Sequence, residues 1–278
     1  MRFTKMHGAG NDYIYVNGFT EQVENPAELS IRLSNRNFGV GSDGLVLILP
    51  SETCDFRMRM FNADGSESEM CGNASRCVGK YVYDKGLTQK TEINLETGAG
   101  VKILKLEVSN GEVKRVTVDM GEPILQPALV PVNLPGEKAV SVPLIIENSE
   151  YAITCVSMGN PHAVVFTKGI DQLNLTELGP KFENNALFPR RTNTEFIEIL
   201  DRSTLKMRVW ERGSGETLAC GTGACASLVA AVLNGHTERK ATLQLLGGTL
   251  EIEWDEKTNH VFMTGPAETV FEGELINE

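Results

Sequence analysis

The sequence has no long hydrophobic run and no excess of positive charge. Its longest mostly apolar stretch, residues 224–233, is far too short to cross a bilayer, and residues 1–6 lack the apolar core of a secretion signal. The formal net charge is −11 at pH 7, and the lysines and arginines are scattered, which disfavours binding to a phosphate backbone. We therefore expect a protein that neither enters a membrane nor binds nucleic acid.

Length and cysteine content narrow the class of protein further. A chain of 278 residues exceeds the usual size of one domain, so we expect two domains or two halves of one elongated fold. Hydrophobic residues make up 41% and charged residues 23%, which is typical of globular proteins and excludes a disordered chain. Six cysteines without an export signal predict reduced thiols in a cytoplasmic protein rather than a disulfide framework.

The sequence repeats itself at an offset of 149 residues. Residues 58–73 align with residues 207–222, and five of the sixteen positions are identical. The identical pairs are Met58/Met207, Arg59/Arg208, Glu67/Glu216, Cys71/Cys220 and Gly72/Gly221. The same offset pairs Gly10-Asn11 with Gly159-Asn160. Agreement of two regions on one register indicates an ancient duplication and two similar lobes.

Each aligned cysteine stands between a predicted strand and a predicted helix. Apolar side chains alternate with Arg or Lys at 56–60 and at 205–209, which is the period of a half-buried strand. A polar, glycine-bearing loop leads from each strand to its cysteine. Residues 74–83 and 223–233 then have a helical pattern, and each is followed by a glycine placed to end the helix.

Many strands and few helices predict an α+β fold. Asn110-Gly111 predicts a hairpin turn, because both residues tolerate positive φ. An early helix at 26–35 is expected to follow Asn25 as its N-cap. The proline-rich stretch 123–143 is predicted to carry the chain between the lobes. Further strands are predicted at 45–49, 92–95, 101–108, 113–120, 195–200, 241–246 and 250–254.

Cys71 and Cys220 are the candidates for chemistry. A cysteine at a helix start lies near unpaired N–H groups and the positive end of the helix dipole, so we expect a lowered thiol pKa and a usable base near neutral pH. Two equivalent thiols on opposite lobes would offer an acid and a base to opposite faces of one carbon, as inversion of a stereocentre requires. Cysteines interpreted as small buried hydrophobic residues are Cys54, Cys77, Cys155 and Cys225.

The glycine after each candidate cysteine predicts a further role. Gly72 and Gly221 allow the backbone to approach a ligand closely, and the two helix N-termini would offer amide donors to a carboxylate. A carboxylate held there would be stabilised when negative charge spreads onto it after loss of the α-proton. Base, acid and electrophile are thus predicted in one cleft.

At these residues the chain resembles the diaminopimelate epimerases, nearly from end to end. In this combination and order the landmarks are highly specific. They are Met6-His7-Gly8-Ala9-Gly10-Asn11-Asp12, Phe61-Asn62-Ala63-Asp64-Gly65-Ser66, Cys71-Gly72-Asn73, Gly159-Asn160-Pro161-His162, Arg191-Thr192-Asn193-Thr194-Glu195, Glu211-Arg212-Gly213 and Ala219-Cys220-Gly221-Thr222-Gly223.

The resemblance implies conversion of L,L-diaminopimelate to the meso form, for lysine and for peptidoglycan, without pyridoxal phosphate, another cofactor or a metal. It implies that Cys220 removes the α-proton of the L,L substrate and that Cys71 returns a proton on the other face. His162 and Glu211 are implied to adjust the protonation of the thiols. Arg212 suits a carboxylate, and Glu211 suits an ammonium. The implied substrate contacts are Asn11, Asn62, Gly72, Asn73, Asn160, Asn193, Glu211, Arg212, Gly221 and Thr222.

The resemblance also implies architecture and assembly. Two pseudo-symmetric lobes are expected, each a mixed or antiparallel sheet or barrel around a central helix. The first lobe is expected at 1–120 with a C-terminal return segment at 264–278, and the second at 121–263. A homodimer is expected, with diaminopimelate as the small-molecule partner. Gly44 departs from the family, because many bacterial members carry glutamine there, and it is not among the expected contacts.

Other classes fit parts of the sequence. Gly221-Thr222-Gly223-Ala224-Cys225-Ala226 matches a dinucleotide-binding turn, but a strand ending near Trp210 leaves too long a loop for that fold. A non-catalytic amino-acid binding protein would be distinguished by its failure to take up deuterium at the α-position. Proline racemases and phenazine-pathway isomerases share the architecture, the former with different cysteine surroundings and the latter without the cysteine pair.

A metal site is the remaining alternative. Its candidate ligands are Cys71, Cys77, Cys220, Cys225 and His162. The cysteines within each half are six and five positions apart, which is not the short spacing of structural zinc knuckles. Sensitivity of folding or activity to a chelator would be needed to support it.

Overall fold

A computed structural model describes residues 1–276. They form two compact units: Met1–Asp119 together with the chain from Thr264 onward is unit 1, and Met120–Met263 is unit 2. Both units combine a sheet with helices, which confirms the predicted α+β class. No helix within residues 1–276 is long and apolar enough to span a membrane. Residues 277 and 278 of the predicted return segment lie outside the described residues.

The elements of unit 1 surround the first candidate cysteine. In chain order they are β1 (Arg2–Gly8), β2 (Asn11–Asn17), α1 (Pro26–Ser34), β3 (Gly44–Leu49), β4 (Phe56–Asn62), β5 (Glu67–Ser68), α2 (Gly72–Asp84), β6 (Glu92–Thr97), β7 (Gly100–Ser109) and β8 (Glu112–Asp119). Strand β1 pairs antiparallel with β2, β2 parallel with β3, and β3 antiparallel with β4. Strand β4 also pairs antiparallel with β5 and parallel with β6, and β6 to β8 form an antiparallel meander.

Unit 2 repeats this order of strand pairing. Its elements are β9 (Val142–Ile146), β10 (Ser149–Ser157), β11 (Pro161–Phe166), a short 3-10 helix (Ile170–Gln172), α3 (Leu175–Glu183), β12 (Asn193–Asp201), β13 (Thr204–Glu211), β14 (Gly215–Thr217), α4 (Gly221–Leu233), β15 (Lys240–Leu245) and β16 (Gly248–Trp254). Strands β10 and β11 are antiparallel, β11 and β12 parallel, β12 and β13 antiparallel, and β13 pairs with β14 and β15. The pairing matches that of β1 to β6, as a duplication requires.

The strand registers match at the offset found in the sequence. The parallel pair Tyr13↔Gly44 of unit 1 corresponds to His162↔Asn193 of unit 2. A shift of one residue would turn every side chain of a strand to the other face of its sheet. The shared register therefore places matched residues on matched faces.

The chain continues through β17 (Val261–Gly265) and β18 (Glu268–Glu274). Strand β18 pairs antiparallel with β1, from Arg2↔Glu274 to His7↔Glu268. This pairing places the C-terminal segment beside residues far away in sequence. Local signals also hold, because Asn110 and Gly111 have φ of 55° and 79° in the hairpin between β7 and β8.

The repeated Arg and Glu residues have a structural explanation. In unit 1 Arg59 donates through Nε and Nη2 to Glu67, at 2.7 and 2.9 Å, and joins β4 to β5. In unit 2 Arg208 makes the same paired bonds to Glu216, at 2.7 and 3.0 Å. Two parallel bonds between guanidinium and carboxylate fix the geometry of both side chains. These ion pairs brace the short strand that leads to each cysteine.

A buried helix lies inside the sheet of each unit. Residues 72–82 of α2 are all buried, and the helix packs against β1, β2, β7 and β8. Helix α4 is buried from Gly223 to Ala231 and packs against β10, β11, β12, β15 and β16. Both begin two residues before the predicted start, directly after the cysteine. Gly86 and Gly235 follow their C-termini with φ near 70°, where the sequence predicts the helices to end.

Two parts of unit 2 differ from the sequence-based interpretation. Stretch 123–143 does not connect the lobes as predicted, because Val130, Val132 and Ala139 are buried in the hydrophobic core of unit 2 beside Phe182. Helix α3 has no counterpart among the predicted helices, and it contains Pro180, a residue that normally ends a helical pattern. Burial of Leu175 and Phe182 against the same core stabilises it.

Candidate active site

Cys71 lies at the N-cap of α2, with extended backbone angles of φ −138° and ψ 122°. Its carbonyl accepts from the N–H and the hydroxyl of Ser75, at 2.9 and 3.0 Å. The half-buried thiol lies 3.4 Å from Oδ1 of Asn11, to which its S–H donates. The same amide oxygen accepts from Nδ2 of Asn73 at 3.4 Å. Three of the predicted site residues of unit 1 are thus in contact.

The orientation of the Asn11 amide is set by Asp43. Nδ2 of Asn11 donates to Oδ2 of Asp43 at 2.8 Å, and the carboxylate also accepts from the backbone N–H of Asp12 and from Arg36. A carboxylate only accepts, so the amide nitrogen must face Asp43 and the amide oxygen must face Cys71. Burial and the nearby Asp12 charge raise the pKa of Asp43. The sequence-based site did not include Asp43.

Two other positions of unit 1 complete this half of the candidate site. Asn62 ends β4 and donates to Oγ of Ser66 at 3.0 Å. Oδ1 of Asn73 is buried and has no hydrogen-bond partner among residues 1–276, so it is an unsatisfied acceptor beside Cys71. A Cβ at Gly44 would lie 2.0 Å from the carbonyl oxygen of Phe61. A glutamine there would therefore require the backbone of β3 to move.

Cys220 has the matching place at the N-cap of α4, where its sulfur accepts from the N–H of Gly223 at 3.4 Å. The hydroxyl of Thr222 lies 3.5 Å from the same sulfur. The expectation of a lowered pKa is wrong for this thiol. Burial, followed by the charges of Glu211 and Glu195, raises its pKa well above the ordinary value. The increase in pKa caused by desolvation and by the two carboxylates is larger than the decrease caused by the helix N-terminus.

Glu211, at the end of β13, faces Cys220. Its carboxylate accepts from the hydroxyl of Thr217. Burial raises the pKa of Glu211, while hydrogen bonds from Thr217 and Cys220 lower it. Because solvent is excluded here, a thiolate at Cys220 is unfavourable while Glu211 is ionised.

A chain of hydrogen bonds leads from the core of unit 2 to Cys220. Nδ1 of His162 lies 2.7 Å from Oε1 of Glu195, and both side chains are fully buried. Nε2 of His162 lies 3.0 Å from Oδ1 of Asn160. Nδ2 of Asn160 donates to Oγ1 of Thr222 at 3.2 Å. Three polar side chains therefore connect Glu195 to the sulfur.

Asn193 and Arg212 lie beside this chain. Nδ2 of Asn193 donates to the carbonyl of Pro161 at 2.8 Å, and its Oδ1 accepts from the backbone N–H of Arg212 at 2.9 Å. Nη1 of Arg212 donates to the carbonyl of Arg190 at 2.9 Å. Asn193 thus stabilises the turn after β13. The other N–H groups of the Arg212 guanidinium can donate to a ligand.

The predicted residues thus form one group in each unit. Unit 1 holds Cys71 with Asn11, Gly72 and Asn73, and Asn62 at the end of a neighbouring strand. Unit 2 brings together Asn160, His162, Asn193, Glu211, Arg212, Cys220, Gly221 and Thr222. Sequence reasoning missed Glu195, whose signal is a charged residue at a buried position of the predicted strand 195–200.

The rival site classes find little support in this geometry. Within residues 1–276, no three His, Cys, Asp or Glu side chains meet in an arrangement that could hold a metal ion. The glycine-rich start of α4 follows the short strand β14, which is antiparallel to β13. A dinucleotide-binding turn instead joins a parallel strand directly to its helix.

Comparison with known proteins adds independent findings. The family model described as diaminopimelate epimerase matches residues 3–126 and 154–270. The chain is 64% identical over 279 residues to diaminopimelate epimerase of Acetivibrio thermocellus, with 100% of both chains covered. It is 59% identical over 275 residues to that of Methanococcus maripaludis, with 99% of both covered. A probable proline racemase from Agrobacterium radiobacter has a similar structure, with a TM-score of 0.70, 16% identity, and coverage of 100% of this chain and 93% of that one, which shows the fold alone.

Proposed function

Because the chain belongs to the diaminopimelate epimerase family and is an isomerase of lysine biosynthesis, we propose that it interconverts L,L- and meso-diaminopimelate with Cys71 and Cys220 as its acid and base. One observation carries the assignment of these residues. In each unit a cysteine stands at the N-cap of a buried helix, in matching places of a duplicated fold. The meso product also serves peptidoglycan synthesis.

The proposed reaction moves two protons and no other atoms. The thiolate of Cys220 takes the α-proton of the L,L substrate, so that a C–H bond breaks and an S–H bond forms. The thiol of Cys71 then gives its proton to the opposite face of the same carbon, and that thiol becomes a thiolate. The cysteines exchange these roles in the reverse direction. The protonation states of the two thiols are reset after each turnover by exchange with solvent or by the reverse reaction.

The carbanion formed on proton loss spreads its charge onto the substrate carboxylate. Backbone N–H groups at the starts of α2 and α4, from Gly72 and Gly221 onward, are the proposed donors to this carboxylate. Fixed donors stabilise developing charge strongly because they need not reorient during the reaction.

The high pKa of Cys220 suits this role. A thiolate that is costly to form in the empty site is a stronger base once formed, and the α-proton of an amino acid is a weak acid. The substrate ammonium is proposed to lie against Glu211, where its positive charge offsets the carboxylates that disfavour the thiolate. Binding of substrate thereby promotes ionisation of its own base.

The remaining predicted residues have proposed binding roles. Arg212 holds the distal carboxylate, and His162 together with Glu211 adjusts the protonation of the thiols. The other proposed contacts are polar groups or exposed backbone at helix and strand ends, namely Asn11, Asn62, Gly72, Asn73, Asn160, Asn193, Gly221 and Thr222.

The assembly and setting are part of the same proposal. The lobes are proposed to comprise 1–120 with 264–278, and 121–263. The enzyme is proposed to act without pyridoxal phosphate, in the cytoplasm, as a homodimer. Sedimentation equilibrium of the purified protein tests the dimer, and activity after treatment with a carbonyl reagent that traps pyridoxal phosphate tests the lack of that cofactor.

The decisive experiment follows L,L-diaminopimelate in heavy water with no added cofactor. The enzyme is expected to form the meso isomer and to place deuterium at the inverted carbon. Cys71→Ser and Cys220→Ser are each expected to lower the rate at least about a thousandfold, because each removes a proton-transfer group. Full activity in either variant would contradict the proposal.

Cys54→Ser is the matched control. Cys54 lies in the turn before β4, outside the groups around Cys71 and Cys220. Its replacement is expected to leave the rate unchanged, so that loss of activity in the other variants reports on position and not on thiol content.

A further inference from the structure

Glu195 is a buried carboxylate that the proposed reaction does not use. It lies in β12, next to β11, and the parallel register places it two residues beyond the pair His162↔Asn193. Because side chains alternate along strands, His162 and Glu195 lie on the same face of the sheet. Their side chains are fully buried, and their closest atoms are 2.7 Å apart. A buried carboxylate is costly unless it is paired, so this contact calls for an explanation.

The hydrogen bonds of His162 have a defined direction. Its Nδ1 faces a carboxylate oxygen and its Nε2 faces the amide oxygen of Asn160. An ionised carboxylate and an amide oxygen both only accept, so both ring nitrogens donate. The pair therefore carries a proton that a neutral histidine beside a carboxylate would lack.

This direction continues to the sulfur. With its oxygen occupied by His162, the amide of Asn160 donates through Nδ2 to Oγ1 of Thr222. The hydroxyl hydrogen of Thr222 is then directed at Cys220, whose sulfur also accepts from the N–H of Gly223. Reversal of the Asn160 amide would reverse each later bond and make the sulfur a donor to Thr222 rather than an acceptor from it.

We propose that Glu195 is a positioning residue that retains a proton on His162 and so directs the chain of hydrogen bonds through Asn160 and Thr222 towards the sulfur of Cys220. The chain stabilises the thiolate that removes the α-proton. Besides Glu195 and His162, the titratable groups that unit 2 places along this chain of hydrogen bonds are Glu211, from the end of β13, and Cys220 itself. This inference rests on the proposed role of Cys220.

The charge of Glu195 and the chain of hydrogen bonds that it directs have opposite effects on the pKa of Cys220. The negative charge of Glu195 raises the pKa of Cys220, so its removal by itself makes the thiol ionise at lower pH. Loss of the directed chain makes the thiol ionise at higher pH, because the thiolate loses a donor. The sign of the change therefore separates the two accounts.

The test measures alkylation of Cys220 by iodoacetamide as a function of pH in substrate-free enzyme, with peptide mass spectrometry. Glu195→Gln keeps the shape of the side chain. We expect the midpoint of the alkylation curve for Cys220 to rise by about one pH unit, while the midpoint for Cys71 stays constant. With the L,L substrate, for which Cys220 is the base, kcat should fall about tenfold, and KM should change by less than about twofold. Glu198→Gln, on the same strand β12, is the matched control. It should change neither the alkylation midpoint of Cys220 nor the kinetic constants.

Thr222→Val provides a second test that leaves Glu195 and His162 intact. It removes the last hydroxyl of the chain and should raise the Cys220 midpoint in the same way. Glu195→Gln combined with Thr222→Val should then shift it no further than Thr222→Val alone, because both act through one chain. A midpoint that falls in Glu195→Gln, that stays constant, or that shifts additively in the double variant overturns the inference. Activity retained in Cys220→Ser would instead overturn the proposed function, which makes the two failures distinguishable.

Discussion

Asn11 and Asn160 occupy matching positions of the two units, yet they turn opposite ends of their amide groups towards the cysteine side. The oxygen of Asn11 lies 3.4 Å from the sulfur of Cys71. The nitrogen of Asn160 lies 3.2 Å from the hydroxyl of Thr222, which contacts Cys220. An acceptor favours a thiol and a donor favours a thiolate. This difference between the two amides agrees with the proposed roles of Cys71 as the acid and Cys220 as the base.

Replacement of Asp43 should disturb the acid side. In Asp43→Asn the new amide can donate as well as accept, so Asn11 is free to turn its nitrogen towards Cys71. We expect Cys71 to be alkylated several times faster at neutral pH, because the thiol loses its acceptor. Competitive labelling with iodoacetamide measures this, with Cys220 as the internal reference. Asp64→Asn, which alters a carboxylate bonded to Ser66 in an exposed turn, should leave the labelling of Cys71 unchanged.

Gly223 should not tolerate a side chain. A Cβ there would lie 2.6 Å from Oε1 of Glu195 and 3.2 Å from the sulfur of Cys220. Gly223→Ala should cost about 1–3 kcal/mol of stability and most of the activity, because the helix start and the carboxylate must separate. Urea unfolding and steady-state rates measure the two effects. Unchanged stability would show that this contact is not tight.

The matching positions of unit 1 offer a compensating pair. Ala74 and Val46, both buried, stand where unit 2 has Gly223 and Glu195. Gly223→Ala combined with Glu195→Val should therefore lose less stability than the sum of the two single losses. Activity should remain low, because His162 no longer has its carboxylate. Ala74→Gly is the control for helix propensity and should cost about 1 kcal/mol.

The two repeated arginines should contribute unequally to stability. Arg208 also donates to the carbonyls of Ile170 and Leu173, at 2.6 and 2.9 Å, and its side chain is 12% exposed against 35% for Arg59. Arg208→Ala should cost about 2–3 kcal/mol, because it removes two bonds to backbone carbonyls together with a largely buried ion pair. Arg59→Ala should cost less than about 1 kcal/mol. Urea unfolding followed by circular dichroism compares them, and equal losses would contradict the prediction.

The thiol of Cys77 should make the protein sensitive to alkali. Burial raises the pKa of Cys77 from 9.0 to about 11. Between these values the unfolded chain has lost this proton and the native state has not, so stability falls as pH rises, by about 1.4 kcal/mol per pH unit. Below pH 9 the effect is absent. Urea unfolding from pH 8.5 to 10.5 should show a shallower fall for Cys77→Ala than for the unaltered protein.

Cys54→Ala is the control for this measurement. It removes a thiol from a turn outside the core and should leave the slope of stability against pH unchanged. A slope for Cys77→Ala equal to that of the unaltered protein would show that Cys77 is not the group responsible.

Short-range signals allowed the frame of each site to be predicted from sequence. Cys71 and Cys220 each start a helix, Asn110-Gly111 makes a hairpin, and the repeat at offset 149 reproduces the strand registers. These features depend on neighbours within a few residues or on direct comparison of the two halves. Helix α3 was missed because Pro180 removes a backbone donor that only tertiary packing of Phe182 compensates.

The sequence by itself determined which residues are proposed to carry the chemistry, since the cysteines and their helix starts are encoded locally and twice. Only the tertiary structure decided how those residues are tuned. Glu195 is 33 residues from His162 along the chain, and Asp43 is 32 residues from Asn11. Their contacts arise from parallel strand pairing, and the raised pKa of Cys220 arises from burial among carboxylates. Desolvation and charge depend on the complete fold, so no local pattern predicts them.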